Sequence, residues 1–378
     1  MHSSKSSSPN IRIYFFDALR AILIVFIIII HISQIFNPEK LWLIYQLESS
    51  SLFSLLINFL MLFTLQSFFI MSGYFAILSI KKNNLSAFFN SKIKRTIIPI
   101  LFTLITFNFM QIYLLIQFDW LSSTFSTYIS NGKVIYHLWF LIDLTIFFLV
   151  TYLGIKVIPK FLTTLSYLFN KLFLKSNIYI ILVLIAIVIV SLRAFFSIVS
   201  IYIENSFINF SSILNYLPFY ILGILLFLHK EFFQSFINIA WIKLTILVAI
   251  LVVISYYLNN QHNFVYKVIF YFSTALASLF MSAICFSIIY KYLNYQSKIF
   301  SFLANASYSI YLFHHLIVIV MGLIFIEIDI NIYLKFMIIF VLTLSSSILL
   351  HHFLISKINL LSFLYNGIPL KRKKKNNA

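Results

Sequence analysis

Arg20 and His31 stand in one apolar run, with only Ala, Ile, Leu, Val and Phe between them. An ionisable side chain costs roughly 2.5–3.5 kcal/mol at a bilayer centre on insertion scales, so such residues in a spanning segment are candidates for function. Their spacing of eleven residues is about three helical turns, which puts both on one face about 16 Å apart. Asp17, three residues before Arg20, falls on the same face. One stripe thus carries a permanent cation able to hold an anion and, farther along, an imidazole able to move a proton near neutral pH. The plain alternative is an arginine that snorkels to headgroups and a histidine bonded to a neighbouring helix.

Other constellations carry chemistry of the same kind. Phe68-Phe69-Ile70-Met71-Ser72-Gly73-Tyr74 puts small residues in a spanning run, which first of all predicts close helix packing. Lys92-Ile93-Lys94-Arg95, just before Pro99, is either an interfacial anchor or a grip for a polyanion such as the phosphates of a nucleotide. His137-Leu138-Trp139-Phe140-Leu141-Ile142-Asp143 fits an interfacial aromatic belt, with Asp143 about a turn deep and in need of a partner. Arg193 is a natural partner for it, because an always-charged fork pairs bidentately with carboxylate. Polar residues line Ala306-Ser307-Tyr308-Ser309-Ile310-Tyr311-Leu312-Phe313-His314-His315. Adjacent histidines are expected on different helix faces, so His314 and His315 form a poor metal-ligand pair and no metal site is expected. His351-His352 reads as structural.

The elements that must position these residues follow from composition. The chain is 62% hydrophobic and 10% charged, with a mean hydropathy of +1.01, values that soluble cores do not reach. Apolar runs of about 20 residues recur, and the period-two alternation of a barrel is missing, so the spans are helical. About ten are expected, near 14–36, 52–79, 96–117, 138–156, 177–200, 212–228, 240–258, 267–290, 307–326 and 331–355. Lys81, Lys82, Lys92, Lys94, Arg95, Lys156, Lys160, Lys171, Lys175, Lys230, Lys243, Lys291 and Lys298 fall on one side of this alternation. Lys5, Arg12, Lys357 and the run from Lys371 to Lys375 fall there too. The other side keeps Lys40, Lys133, Lys267 and Lys335 beside Glu39, Glu48, Asp119, Glu204, Glu327 and Asp329. The positive-inside rule then makes both termini cytoplasmic. The net charge of +18 reads as a membrane-orientation and lipid signal and not as a nucleic-acid footprint. Cys285 alone excludes an internal disulfide framework. The polar opening lacks a cleavage-site pattern after it, so the first apolar run is expected to be a retained span. The stretch 157–176 reads as an interfacial amphipathic segment. The expected organisation is a tail at 1–13, one all-α membrane domain at 14–355 and a basic tail at 356–378.

The chain resembles the acyltransferase-3 family of multi-span membrane O-acyltransferases. The resemblance runs through Asp17-x-x-Arg20, Arg20-x10-His31, Phe68-Phe69-x-x-Ser72-Gly73-Tyr74, Lys92-x-x-Arg95 before Pro99, Leu138-Trp139-Phe140-Leu141 and Ser307-Tyr308-Ser309-x-Tyr311-Leu312-x-His314. It implies transfer of an acyl group, commonly acetyl, from cytoplasmic acyl-coenzyme A to a hydroxyl of a cell-surface glycan or its lipid-linked precursor. It further implies a bacterial inner membrane, no permanently bound cofactor, His31 as the essential histidine, and Lys92 with Arg95 at the coenzyme A. Ser72 and Gly73 are expected beside the donor. Lys92 departs from the more usual Arg, and Asp143 sits near a position where many members carry Glu. The resemblance is to the stand-alone members, so no appended esterase-like domain is expected.

The residues support that chemistry without the family. Transfer from a thioester to a sugar hydroxyl needs a base, an oxyanion partner and the exclusion of water. His31, Asp143, Arg193 and His314 in an apolar bundle supply these, and Asp17 and Arg20 would orient the donor arm. A glycan exporter or flippase built on the same polar-lined bundle is the competing expectation, against which stands the lack of broken helices and inverted repeats.

Overall fold

The computed structural model describes residues 13–121, 125–130, 132–173, 176–199, 209–261 and 263–369. Lys5, Arg12, Lys175, Glu204 and the basic run 371–375 of the charge argument lie outside these residues, as does the polar opening 1–12. All described regular structure is helical. The helices are α1 (Tyr14–Ile35), α2 (Ser51–Met61), α3 (Thr64–Lys82), α4 (Leu85–Thr103), α5 (Phe109–Gln117), α6 (Phe125–Ser130), α7 (Trp139–Val157), α8 (Phe161–Phe173), α9 (Ile178–Val199), α10 (Phe210–Leu228), α11 (Lys230–Ile237), α12 (Trp241–Leu258), α13 (Phe264–Leu293), α14 (Lys298–Ile326), α15 (Ile332–Leu350) and α16 (Asn359–Asn366). Among the described residues, ten helices or continuous helical runs are long and apolar enough to cross a membrane, and they fall on the ten spans expected from hydropathy. The largest difference is the start of the third span, where α4 begins eleven residues before the expected 96 because the Asn84 side chain caps it by accepting from the Ala87 N–H at 2.7 Å.

Burial sorts these helices as a bilayer solvent would. α1 is apolar on nearly every face and packs against α14, α15, α13, α2 and α3, so it runs through the middle of the bundle. α12 keeps a stripe of exposed large side chains, Ile242, Ile246, Ile250, Val253 and Tyr257, at helical spacing. Water would not tolerate that stripe, whereas lipid tails cover it without cost. α8 occupies the connection expected to be interfacial, and its Phe169 packs on Phe232.

Three local features shape the site. α3 and α10 cross at two glycines: a methyl group on Gly73 would overlap the carbonyl oxygen of Tyr220, and one on Gly223 the carbonyl oxygen of Ile70. This is the small-residue crossing that lets membrane helices approach backbone to backbone. Pro99, buried within α4, has no N–H to give to the carbonyl four residues earlier, that of Arg95. A π-turn follows at Leu104–Asn108, where the Asn108 side-chain amide donates to the carbonyls of Val134 (2.8 Å) and Ile135 (3.1 Å). The pinned segment leads into Tyr136, whose φ of 44° belongs to the left-handed region that costs a residue other than glycine on the order of 1–3 kcal/mol. That kink turns His137 into the bundle just before α7 starts. Finally, the segment after 355, grouped in the sequence as a tail, folds back as α16 against α4, with Phe102, Phe107 and Phe313 around Tyr365.

Candidate active site

The two ends of α1 carry different chemistry. Near its Ile35 end, His31 meets three other imidazoles. The ring of His31 stands 5.1 Å from His314 and 4.8 Å from His315, centroid to centroid. His137 stacks on His315 at 4.6 Å and lies 5.5 Å from His314. Trp42, from the loop after α1, covers His31 and His315 at 5.9 and 5.6 Å. His137, His314 and His315 are buried, whereas His31 is only partly so.

Hydrogen bonds set the tautomers where they exist. The Nδ1–H of His314 donates to the carbonyl of Tyr311 at 2.7 Å, with that of Ile310 at 3.2 Å, so its Nε2 carries a lone pair. That Nε2 is buried and unpartnered, as are Nδ1 of His31 and both ring nitrogens of His137. His315 Nδ1–H donates to Oε1 of Gln111 at 2.8 Å, and Tyr136 lies beside the same glutamine. Tyr311 donates through its hydroxyl to the carbonyl of His137, which ties α14 to the kinked segment. Native interiors leave few buried polar atoms unpaired, at about 1–3 kcal/mol each, and several in one cluster mark a place kept for a ligand or for chemistry.

His314 and His315 lie on different faces of α14, as helical period requires, yet they share one site. Both rings enter one cluster, because His31 and Trp42 close over the boundary between the two faces of α14. His137 and His315 join the candidates that sequence reasoning named. The available signal was the position of His137 directly before Leu138-Trp139.

Toward the Tyr14 end of α1, three cations converge. Lys92 on α4 lies within electrostatic reach of Arg95 and of Arg20. Arg20 stands 5.5 Å over the ring of Phe75 and Lys92 5.1 Å over that of Phe148. Like charges in one place repel, so the arrangement suits a polyanion. The Tyr308 hydroxyl donates at 2.6 Å to the Arg95 carbonyl, the one that Pro99 leaves without a helical partner. Two motifs far apart in sequence thus meet in one hydrogen bond. Asp17, partly buried, stands three residues before Arg20 on the same helix face. Ser72 is partly buried on α3, and its neighbour Gly73 is taken up by the crossing with Tyr220, so the expectation of a donor contact at Gly73 gives way to packing.

Asp143 and Arg193 do not pair. Nε of Arg193 donates to Oδ1 of Asn215 at 2.5 Å and its Nη1 to Thr274 at 3.3 Å, with the ring of Tyr271 5.6 Å away. Asp143 is buried beside Ser212, with Oδ2 unpartnered. Tyr216 lies within electrostatic reach of both charges. Asp143 is also within reach of Tyr311, and through it of the histidine cluster.

A family model described as an acyltransferase domain matches residues 13–352. The chain belongs to that family, acyltransferase-3, and is a multi-pass membrane member of it. It is similar to the glucans biosynthesis protein C of Escherichia coli strain K12, with 28% identity over 387 residues and 98% of each chain covered. The protein of the same description from Escherichia coli O139:H28 is 28% identical over 390 residues, again with 98% of each chain covered. No solved structure matches the chain at a significant level.

Proposed function

We propose that this protein is an inner-membrane O-acyltransferase that moves an acyl group, in the simplest case acetyl, from acyl-coenzyme A to a hydroxyl of a glucan-type surface polysaccharide or its lipid-linked precursor. The observation that carries the reading is the layout of α1, with a three-cation cluster around Arg20 and a four-imidazole cluster around His31. Eleven residues separate them, about 16 Å along the axis. The positive-inside rule places the cation cluster on the cytoplasmic side with both termini. Arg20, Lys92 and Arg95 would bind the phosphates of the donor there, and the acyl thioester would reach along α1 toward His31.

A hydrogen bond from Nδ1–H of His31 to Nε2 of His314 would satisfy both unpartnered nitrogens and leave Nε2 of His31 as the base. The acceptor hydroxyl gives its proton to that nitrogen while its oxygen attacks the thioester carbonyl. The new C–O bond forms, the C–S bond breaks, and the proton passes to the departing thiolate, which leaves as free thiol. The dry, apolar surroundings suppress hydrolysis. The glucan acceptor is suggested by the name of the similar Escherichia coli proteins.

The test is a deletion complemented with wild type or His31→Ala, followed by analysis of the surface glycan. Glycan that is made and exported without its acyl ester supports the enzyme. Loss of all surface glycan, with precursor held inside, would support transport instead and overturn the reaction. Reporter fusions that placed residue 378 outside would overturn the proposed donor path.

A further inference from the structure

We infer that Asp143, Tyr216 and Arg193, with Trp139 and Asn215, form the subsite that holds the acceptor as a neutral sugar. This rests on the acyl-transfer reading and specifies what the reaction's second substrate must present. Two charges in one stretch of bundle, Asp143 and Arg193, do not neutralise each other. Among the described residues, the hydrogen-bond partners of Arg193 are the neutral Asn215 and Thr274, with Tyr271 beneath it. Asp143 is 2% exposed and keeps Oδ2 without a partner.

A buried carboxylate and a guanidinium kept apart inside a membrane domain are both costly, and a ligand that serves both offsets the cost. An anion would satisfy Arg193 but be repelled by Asp143, and a cation would have the opposite fault. A group with several hydroxyls fits both, because each hydroxyl can donate to the carboxylate and accept from the guanidinium.

The aromatic frame points the same way. Tyr216 stacks on Phe69 at 4.7 Å and on Trp139 at 5.6 Å, with interplanar angles of 24° and 28°. Trp139, Asn215, Tyr216 and Arg193 are each partly buried, whereas Asp143 is buried. Flat aromatic faces beside an acid, an amide and a guanidinium match the apolar C–H faces and the hydroxyl rim of a pyranose ring. The position is also suitable. Trp139 is two residues from His137, and Asp143 is within reach of Tyr311, which bonds the His137 carbonyl. A sugar seated there would have a hydroxyl near the imidazole cluster.

The experiment uses the full chain in lipid nanodiscs and two unlabelled probes, a linear pentasaccharide of glucose and the corresponding pentasaccharide of glucuronic acid. Calorimetry gives binding, and acyl transfer to the glucose probe gives KM and kcat. Wild type is expected to bind the neutral probe and to bind the acidic one at least tenfold more weakly. Asp143→Asn and Arg193→Gln should each raise the acceptor KM at least tenfold and leave the donor KM within twofold. Tyr216→Phe, which keeps the stacked ring and removes one hydroxyl, should raise it about threefold and serves where a charge variant fails to fold. Tighter binding of the acidic probe, no binding of the neutral one, or an unchanged acceptor KM in the folded variants would each overturn the subsite. Binding that the variants weaken in a protein that transfers no acyl group would refute the reaction and keep the subsite, so the two failures are distinguishable.

Discussion

His31 and His314 come from the first and ninth spans, yet their rings stand 5.1 Å apart, and each leaves a buried nitrogen unpartnered, Nδ1 on one and Nε2 on the other. The two nitrogens are of complementary kind. The carbonyl of Tyr311 occupies the single N–H of a neutral His314, so Nε2 can only accept, while His31 is free to donate from Nδ1. One imidazole can therefore orient the other, the arrangement a proton-transfer site needs.

His31→Ala should accordingly reduce acyl transfer by about 10²–10⁴-fold, the usual worth of a general base, with expression and membrane insertion unchanged. His31 is only partly buried, so its removal leaves the buried packing of the other three in place. Transfer assayed in membranes from the variant decides the matter, and retention of half the activity would refute the role.

Arg20→Lys separates a phosphate grip from a snorkelling arginine. Lysine keeps the charge beside Lys92 but loses the planar fork that binds phosphate bidentately. The donor KM is expected to rise about tenfold, a change of about 1.4 kcal/mol, with the acceptor KM unmoved. Donor titration at low and high salt measures both, and insensitivity to the substitution would return Arg20 to a lipid anchor.

Gly73→Ala should act on stability. The added methyl would overlap the Tyr220 carbonyl, and neither backbone can move far because Gly223 makes the reciprocal contact with Ile70. Overpacking of this kind costs about 1–3 kcal/mol. Thermal unfolding in detergent should show a lower midpoint with an unchanged donor KM in the folded fraction. The reverse pattern would restore Gly73 to the donor site.

Much of this was legible in the sequence, and the limits have physical causes. The ten spans follow from hydropathy because lipid demands long apolar helices. The stripe from Arg20 to His31 follows from helical period alone. His315 was left out of the site because period assigns faces relative to one helix, whereas a cluster closing over two faces depends on Trp42 and on α1. His137 escaped because its orientation comes from a positive φ at Tyr136, and tyrosine is not a residue that announces such a conformation. The supposed pair of Asp143 and Arg193 matched charges, but the guanidinium is bonded to Asn215 and Thr274 instead.

The last prediction concerns Tyr308 and Arg95. Pro99 removes the helical donor for the Arg95 carbonyl, and the Tyr308 hydroxyl replaces it at 2.6 Å. Gly367, at a φ of +58°, lies against the backbone of Lys94 and Arg95 from the other side. Tyr308→Phe deletes one hydrogen bond worth about 0.5–1.5 kcal/mol, so the donor KM should rise roughly threefold to tenfold while kcat holds. Gly367→Ala should act in the same direction, because an L side chain is strained at that φ and its methyl meets Arg95. The decisive control is Pro99→Ala in the Tyr308→Phe background. Alanine returns an N–H to the helix and can pair the Arg95 carbonyl again, so the double variant should recover the donor KM. If Tyr308 merely fills space, Pro99→Ala has nothing to restore and the double variant stays as weak as Tyr308→Phe alone.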